Sequence, residues 1–148
     1  VAVRQQEYFA SHGLLLALEP HVRSAICRSA TVKAVMREHP DFRFVYDPSH
    51  LLYGGDSMED TSCLIPNASM VHLRDAAEGQ LFLPYGEGAL DIPYAIAALH
   101  TAGYDGPVSL EYLLGKPDRR QCEDLARFAR AIDDAIRLTA GGQETTSP

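Results

Sequence analysis

Phe44-Val45-Tyr46-Asp47-Pro48-Ser49-His50 is the stretch on which the fold is decided. An apolar run stops at an aspartate, and a histidine follows three residues later. Three more apolar runs stop on side chains able to ligate a metal. Leu14-Leu15-Leu16-Ala17-Leu18 stops at Glu19, Ser69-Met70-Val71 at His72, and Val108-Ser109-Leu110 at Glu111. Short continuous apolar runs read as buried parallel strands. A parallel β/α barrel builds its active face from residues at the C-terminal ends of such strands. The pattern repeated four times points to that architecture; no single residue does.

Outward from these runs, the spacing predicts helices and strands in alternation. Residues 2–11 read as the last turns of a helix closed by Gly13. Residues 14–18 read as a strand buried on both faces and ended by Pro20. A helix over 31–38 ends at Pro40, and 42–46 is the second strand. Gly54-Gly55-Asp56 is a loop, 58–65 a short helix stopped before Pro66, and 69–73 the third strand. Residues 75–88, rich in glycine and without a period, read as a long loop on the active face. Asp91 is a helix N-cap with Pro93 in the first turn and Ile92, Ile96 and Leu99 on one face. Gly103 closes that helix, and 108–110 is the fourth strand. Asp118 and Gln121 form a capping box for a helix whose apolar stripe is Cys122, Leu125, Phe128, Ala129, Ile132 and Ile136. The order αβαβαβαβα gives four β/α units, half of an eightfold parallel (β/α) barrel, over residues 1–138. Residues 139–148 are small and polar and read as a disordered tail.

The 148 residues suffice for one domain with a real core. With 13 Lys and Arg against 20 Asp and Glu, the net charge is −7, which argues against nucleic acid as a partner. The cysteines, Cys27, Cys63 and Cys122, have no CxxC spacing, so a reduced, cytoplasmic setting is expected. No run approaches membrane-span length. Because the chain opens on Val1 in what reads as mid-helix, it is expected to be a piece of a longer protein.

If Glu19, Asp47, His72 and Glu111 converge, they make a hard, oxygen-rich donor set. Such a set suits Mn²⁺, Mg²⁺ or Co²⁺ better than a thiolate-preferring ion. No cysteine lies at a strand end, which removes structural zinc. A divalent ion with open positions holds two neighbouring oxygens of a hydroxy-carbonyl substrate and stabilises an enediolate as a Lewis acid. Carboxylates beside it move protons on and off carbon. Glu19 and Glu111 come from the first and last strands and so can flank a substrate. His50 is placed to hold a substrate hydroxyl or a second ion. Singly, each residue has a plainer explanation. Strand-end acids are usually caps or solvated, His72 suits a core histidine, and Asp47 before Pro48 suits a turn. Four coincidences together weigh against the plainer account. His12, His39 and His100 read as structural or solvated, and His21 is set apart because it follows Glu19-Pro20.

At these residues the chain resembles the xylose isomerase-like TIM-barrel superfamily, in its sugar phosphate isomerase/epimerase branch. The pieces are Leu18-Glu19-Pro20, Tyr46-Asp47-Pro48-Ser49-His50, Val71-His72-Leu73-Arg74-Asp75, Gly86-Glu87-Gly88 with Asp91, and Gly103-Tyr104-Asp105-Gly106 leading to Ser109-Leu110-Glu111. They stand in family order, and the resemblance implies strands five to eight of the barrel. It implies Glu19, Asp47, His72 and Glu111 as ligands of one divalent ion, Mn²⁺ ahead of Mg²⁺, Co²⁺ or Zn²⁺. Glu19 and Glu111 would be the acid/base pair, with His50 on the substrate and Arg74 and Asp75 on the same rim. The implied activity is isomerisation or epimerisation of a small sugar, keto-sugar or polyol, in a protein for which a homo-oligomer is one expected assembly. A metal-dependent dehydratase is the near alternative. The superfamily also holds endonuclease IV-type apurinic endonucleases, but where those carry an extra Asp and His this chain has Gln80 and Phe82. A third alternative is a non-catalytic half-barrel whose open edges pair with another chain.

Overall fold

The structure is a computed structural model, and it describes residues 2–111 and 118–141. In chain order the elements are α1 (Ala2–Ser11), β1 (Ala17–Leu18), α2 (Ser29–Glu38), β2 (Arg43–Tyr46), α3 (Pro48–Tyr53), α4 (Met58–Thr61), the 3-10 helix η1 (Ser62–Asn67), β3 (Ala68–Leu73), β4 (Asp75–Ala77), β5 (Gln80–Leu83), α5 (Ile92–Thr101), β6 (Val108–Leu110) and α6 (Arg119–Gly141).

The expected parallel sheet is present, in the order β1-β2-β3-β6. All three strand pairs are parallel, and each crossover between neighbours carries helix, so the chain forms part of a (β/α) barrel. Leu18 pairs with Phe44, Tyr46 with Val71, and Leu73 with Leu110, which brings the four C-terminal strand ends to one edge. Alternation along the strands then decides which side chains enter the core. Phe44, Tyr46, Val71 and Leu73 point to the helical side and are fully buried among Val32, Leu51, Leu64, Ile92 and Phe128. Each such large apolar side chain contributes roughly 2–3 kcal/mol by leaving water. Val45, Met70, His72 and Ser109 face the other way and are half-buried.

Local chemistry sets the helix starts. Asp47 caps α3 by accepting the Ser49 N–H, with Pro48 in the first turn, and Asp91 caps α5 by accepting the Tyr94 N–H. Asp118 and Gln121 bond reciprocally at 2.8 and 3.0 Å, as the capping-box reading required.

Several expectations are corrected. The strand over 14–18 shrinks to Ala17–Leu18, and Leu14 and Leu15 are 57% and 64% exposed. Its residues lie on an edge strand, which has a neighbour on one side only among the described residues. The short helix does not stop before Pro66: after Thr61 it tightens to a 3-10 helix through Asn67 with Pro66 inside. Residues 75–88 are not one loop, because β4 and β5 pair as an antiparallel hairpin. On α6 the buried residues are Phe128, Ile132 and Ala135; Cys122, about a third of a turn off the Phe128 face, is exposed. The same helix runs on to Gly141, past the expected start of the tail, and the rest of that stretch lies outside the described residues. No helix among the described residues is long and apolar enough to cross a membrane.

Candidate active site

Each strand end delivers one side chain. Glu19 follows β1 directly, Asp47 follows β2, His72 is the penultimate residue of β3, and Glu111 follows β6. One ligand atom from each of the four lies within 4.8 Å of the others. Among the described residues this is the one group of His, Cys, Asp and Glu side chains close enough to share an ion. His72 Nδ1 stands between two carboxylates, 3.3 Å from Glu19 Oε1 and 3.2 Å from Glu111 Oε2. Asp47 is completely buried, while Glu19, His72 and Glu111 are partly open.

Arg74, the second residue after His72, ties the cluster together from beneath. Its guanidinium donates to Asp47 Oδ2 at 2.6 Å, Glu111 Oε1 at 3.1 Å, Ser49 Oγ at 2.8 Å and His50 Nε2 at 2.8 Å. Guanidinium groups only donate, so His50 Nε2 holds its lone pair toward Arg74, while Nδ1 faces the Val22 N–H at 3.4 Å. The His50 pKa is pushed down to about 4, chiefly by burial, with Arg74, His21 and His72 adding to the lowering and Asp47 pulling against it. The imidazole is therefore neutral at neutral pH. The His21 ring packs against it with centroids 4.0 Å apart, so His21 does lie beside the site.

Two observations test whether this donor set fits a divalent cation. Three carboxylates and one guanidinium share the cluster, leaving two negative charges for a dication to balance. Glu111 Oε2 is also shut off from solvent and, though near His72, has no hydrogen-bond partner among the described residues, whereas buried acceptors are normally satisfied. An oxygen in that position is suited to a metal bond. The set fits, with Asp47 Oδ1 held by Ser49 and the cluster oriented by Arg74.

Asp75 is placed differently from the expectation. It is 1% exposed, and its two oxygens accept the backbone N–H groups of Ala76, Gly86, Gly88 and Leu90. Four donors saturate a carboxylate. Asp75 thus clamps the Gly86-Glu87-Gly88 turn beneath the rim instead of offering an oxygen to a substrate. Gly88 is required there, since a Cβ would strike the Asp75 carboxylate and sit 2.7 Å from Ala76 O.

Two participants have no assigned role in the sequence reading. Ser49 bridges Asp47 and Arg74, and its only sequence signal is the Asp-Pro-Ser capping pattern. Phe82 stacks over the Arg74 guanidinium at 4.9 Å. Next to the cluster, a cavity of about 520 Å³ is lined by Arg74, Phe82, Leu83, Glu111, Gln121 and Arg127 among others.

No curated protein matches the sequence significantly. Among solved structures, a xylose isomerase domain protein from Planctomyces limnophilus is similar over 93% of this chain and 53% of its own, with TM-score 0.73 and 20% identity. A xylose isomerase-like TIM barrel protein from Mycobacterium smegmatis, in complex with magnesium, is similar over 88% of this chain and 48% of its own, with TM-score 0.64 and 16% identity. The apo form of 3-keto-D-glucoside 4-epimerase from E. coli is similar over 87% of this chain and 51% of its own, with TM-score 0.65 and 20% identity. At such identities the likeness concerns the fold, and the chain spans about half the length of these proteins. A sequence model of the xylose isomerase-like TIM barrel matches residues 4–132, and the chain belongs to that family.

Proposed function

We propose that the protein is a divalent-metal-dependent isomerase or epimerase of a small sugar, keto-sugar or polyol, working through an enediolate. One observation carries this reading: side chains from four separate strand ends converge within 4.8 Å around the orphaned Glu111 oxygen. Glu19, Asp47, His72 and Glu111 would hold the cation, Mn²⁺ first, and bound there it would supply Lewis-acid polarisation of a carbonyl. That the similar Mycobacterium smegmatis protein is described in complex with magnesium, and the E. coli protein as an epimerase, supports the choice.

The chain's own residues then divide the proton work. Glu19 is a third exposed and can reach a substrate carbon, so it serves as one acid/base group. Glu111, pinned at Oε1 by Arg74, would be the second acid/base group, on the opposite side from Glu19. Asp47, buried and fixed by Ser49 and Arg74, anchors without moving. His50, neutral, buried and approached by donors at both ring nitrogens, Arg74 at Nε2 and the Val22 N–H at Nδ1, braces Arg74 behind the site.

The test is metal analysis joined to a proton-exchange assay on the full-length protein. About one equivalent of divalent metal, lost in His72→Ala, is expected. Ketoses incubated with the loaded protein in D₂O should gain deuterium at the carbon beside the carbonyl and yield an epimer or isomer. Loss of water in place of epimer formation would reassign the protein as a dehydratase. Absence of bound metal under every loading condition would overturn the reading.

A further inference from the structure

We propose that Phe82 is a specificity-determining residue whose open ring face forms an apolar platform for the C–H face of a cyclic sugar in the cavity beside Glu111. The inference rests on the carbohydrate reading above and adds which surface recognises the ring.

The backbone at Phe82 is the first reason. Its φ is +62°, a region that bulky side chains avoid and glycine favours. Residues held there cost of order 1–3 kcal/mol and cluster at functional sites, where the surrounding structure enforces them. The enforcing structure here is the β4–β5 hairpin, whose register shifts between Asp75 and Ala76, so that Phe82 is the extra residue between Leu81, opposite Ala76, and Leu83, opposite Asp75.

What the strained backbone achieves is a particular placement of the ring. One face of Phe82 lies against the Arg74 guanidinium, at 4.9 Å. Yet the residue remains 44% exposed and lines the cavity shared with Arg74 and Glu111. The ring face carries negative quadrupole charge, attractive to the polarised C–H groups of a pyranose or furanose. Around it the cavity offers what a sugar's hydroxyls need: Gln121, Glu123 and Arg127 from α6 on one side, Glu111 and Arg74 on the other. An aromatic floor with polar walls fits a neutral cyclic polyhydroxylated ligand better than an open-chain acid.

The chain contains no tryptophan, so Phe82→Trp introduces a single indole at the platform. Binding of D-fructose, with erythritol as the acyclic control, is measured by saturation-transfer NMR on the wild type and by indole emission on Phe82→Trp. Mn²⁺ affinity is titrated in parallel. The expected result is fructose binding that shifts the emission of the Phe82→Trp variant with the wild-type Kd. Phe82→Gly, which relieves the backbone, should fold at least as well but bind fructose about tenfold more weakly, the loss of one aromatic contact. Phe82→Leu, which keeps apolar cover over Arg74 without a π face, should lose affinity similarly. Mn²⁺ affinity should stay within about twofold throughout, because Phe82 is not one of the four clustered residues. Unchanged fructose affinity in Phe82→Gly and Phe82→Leu overturns the platform, as does a wild type that binds Mn²⁺ but no fructose. Fructose binding that depends on Phe82 in a protein that binds no Mn²⁺ upholds the platform and overturns the metal-dependent function instead.

Discussion

Arg74 Nη2 lies 2.6 Å from Asp47 Oδ2, and the two side chains are 4% and 0% exposed. Buried ion pairs are fragile in one direction: deleting one partner leaves the other charge without compensation in a low-dielectric setting. Arg74 also supports Ser49, His50 and Glu111, so its loss frees several polar groups at once.

Arg74→Met should therefore destabilise the metal-free protein by about 3–5 kcal/mol, read by urea unfolding. Saturating Mn²⁺ should restore part of that loss, because a dication supplies the missing positive charge. Arg74→Lys should recover the charge but not the four-way geometry, and so fall between the two. Wild-type stability in Arg74→Met would show that Asp47 does not depend on the pair.

Asp75 gives the second prediction, and it separates bracing from ligand binding. Asp75→Asn replaces a charged acceptor of four N–H groups with a neutral amide, half of which donates. Stability should fall by about 1.5–3 kcal/mol, the worth of hydrogen bonds to a charged group. Metal stoichiometry should not change, since no Asp75 oxygen belongs to the four-residue cluster. A variant of normal stability with lost sugar binding would return Asp75 to the rim.

The contrast between Asp75 and Asp91 shows what was legible in the sequence. Asp91 caps the helix that begins next to it, and Asp118 bonds Gln121 three residues on, so both patterns are local. The strand ends were legible for a similar reason: each apolar run stops on its own polar residue. Asp75 instead bonds Gly86, Gly88 and Leu90, 11 to 15 residues away, and no period in 75–88 announces the hairpin that makes this possible. Arg74 reaches partners 24 to 37 residues distant, so its place as a hub is a consequence of strand order. Leu14 and Leu15 misled because an apolar run looks the same at a sheet edge as at its centre.

His50 makes stability depend on pH in a defined window. Its pKa is about 4 in the folded protein against an ordinary 6.5, because burial disfavours the cation. The unfolded chain thus binds the proton more readily between those values. The stabilisation is complete above pH 6.5 and is lost as pH falls toward 4, by about 3–4 kcal/mol at most, taking about 1.4 kcal/mol per unit. Urea midpoints measured with chelator present from about pH 7.5 to about 4.5 should fall in the wild type and fall less steeply in His50→Asn. Parallel slopes would assign the acid sensitivity to other groups.

Glu19 and Glu111 are the pair on which turnover should depend. Glu19→Gln keeps the size of the side chain and an oxygen for a cation but removes its capacity to accept a proton. Glu111→Gln also removes a proton acceptor, and its single amide oxygen must choose between a cation and Arg74 Nη1, now 3.1 Å from Oε1. General acid/base groups contribute about 10²–10⁴-fold each. Each substitution should accordingly reduce kcat by at least about a hundredfold in the full-length enzyme. Mn²⁺ affinity should weaken far less, since three charged or imidazole donors and one amide oxygen remain. Isotope exchange divides the roles further. If the two carboxylates serve opposite sides of one carbon, Glu19→Gln and Glu111→Gln should each still exchange deuterium with one epimer and not with the other. Near-normal kcat in either variant would remove that residue from proton transfer, while equal collapse of kcat and Mn²⁺ binding would make it a ligand and nothing more.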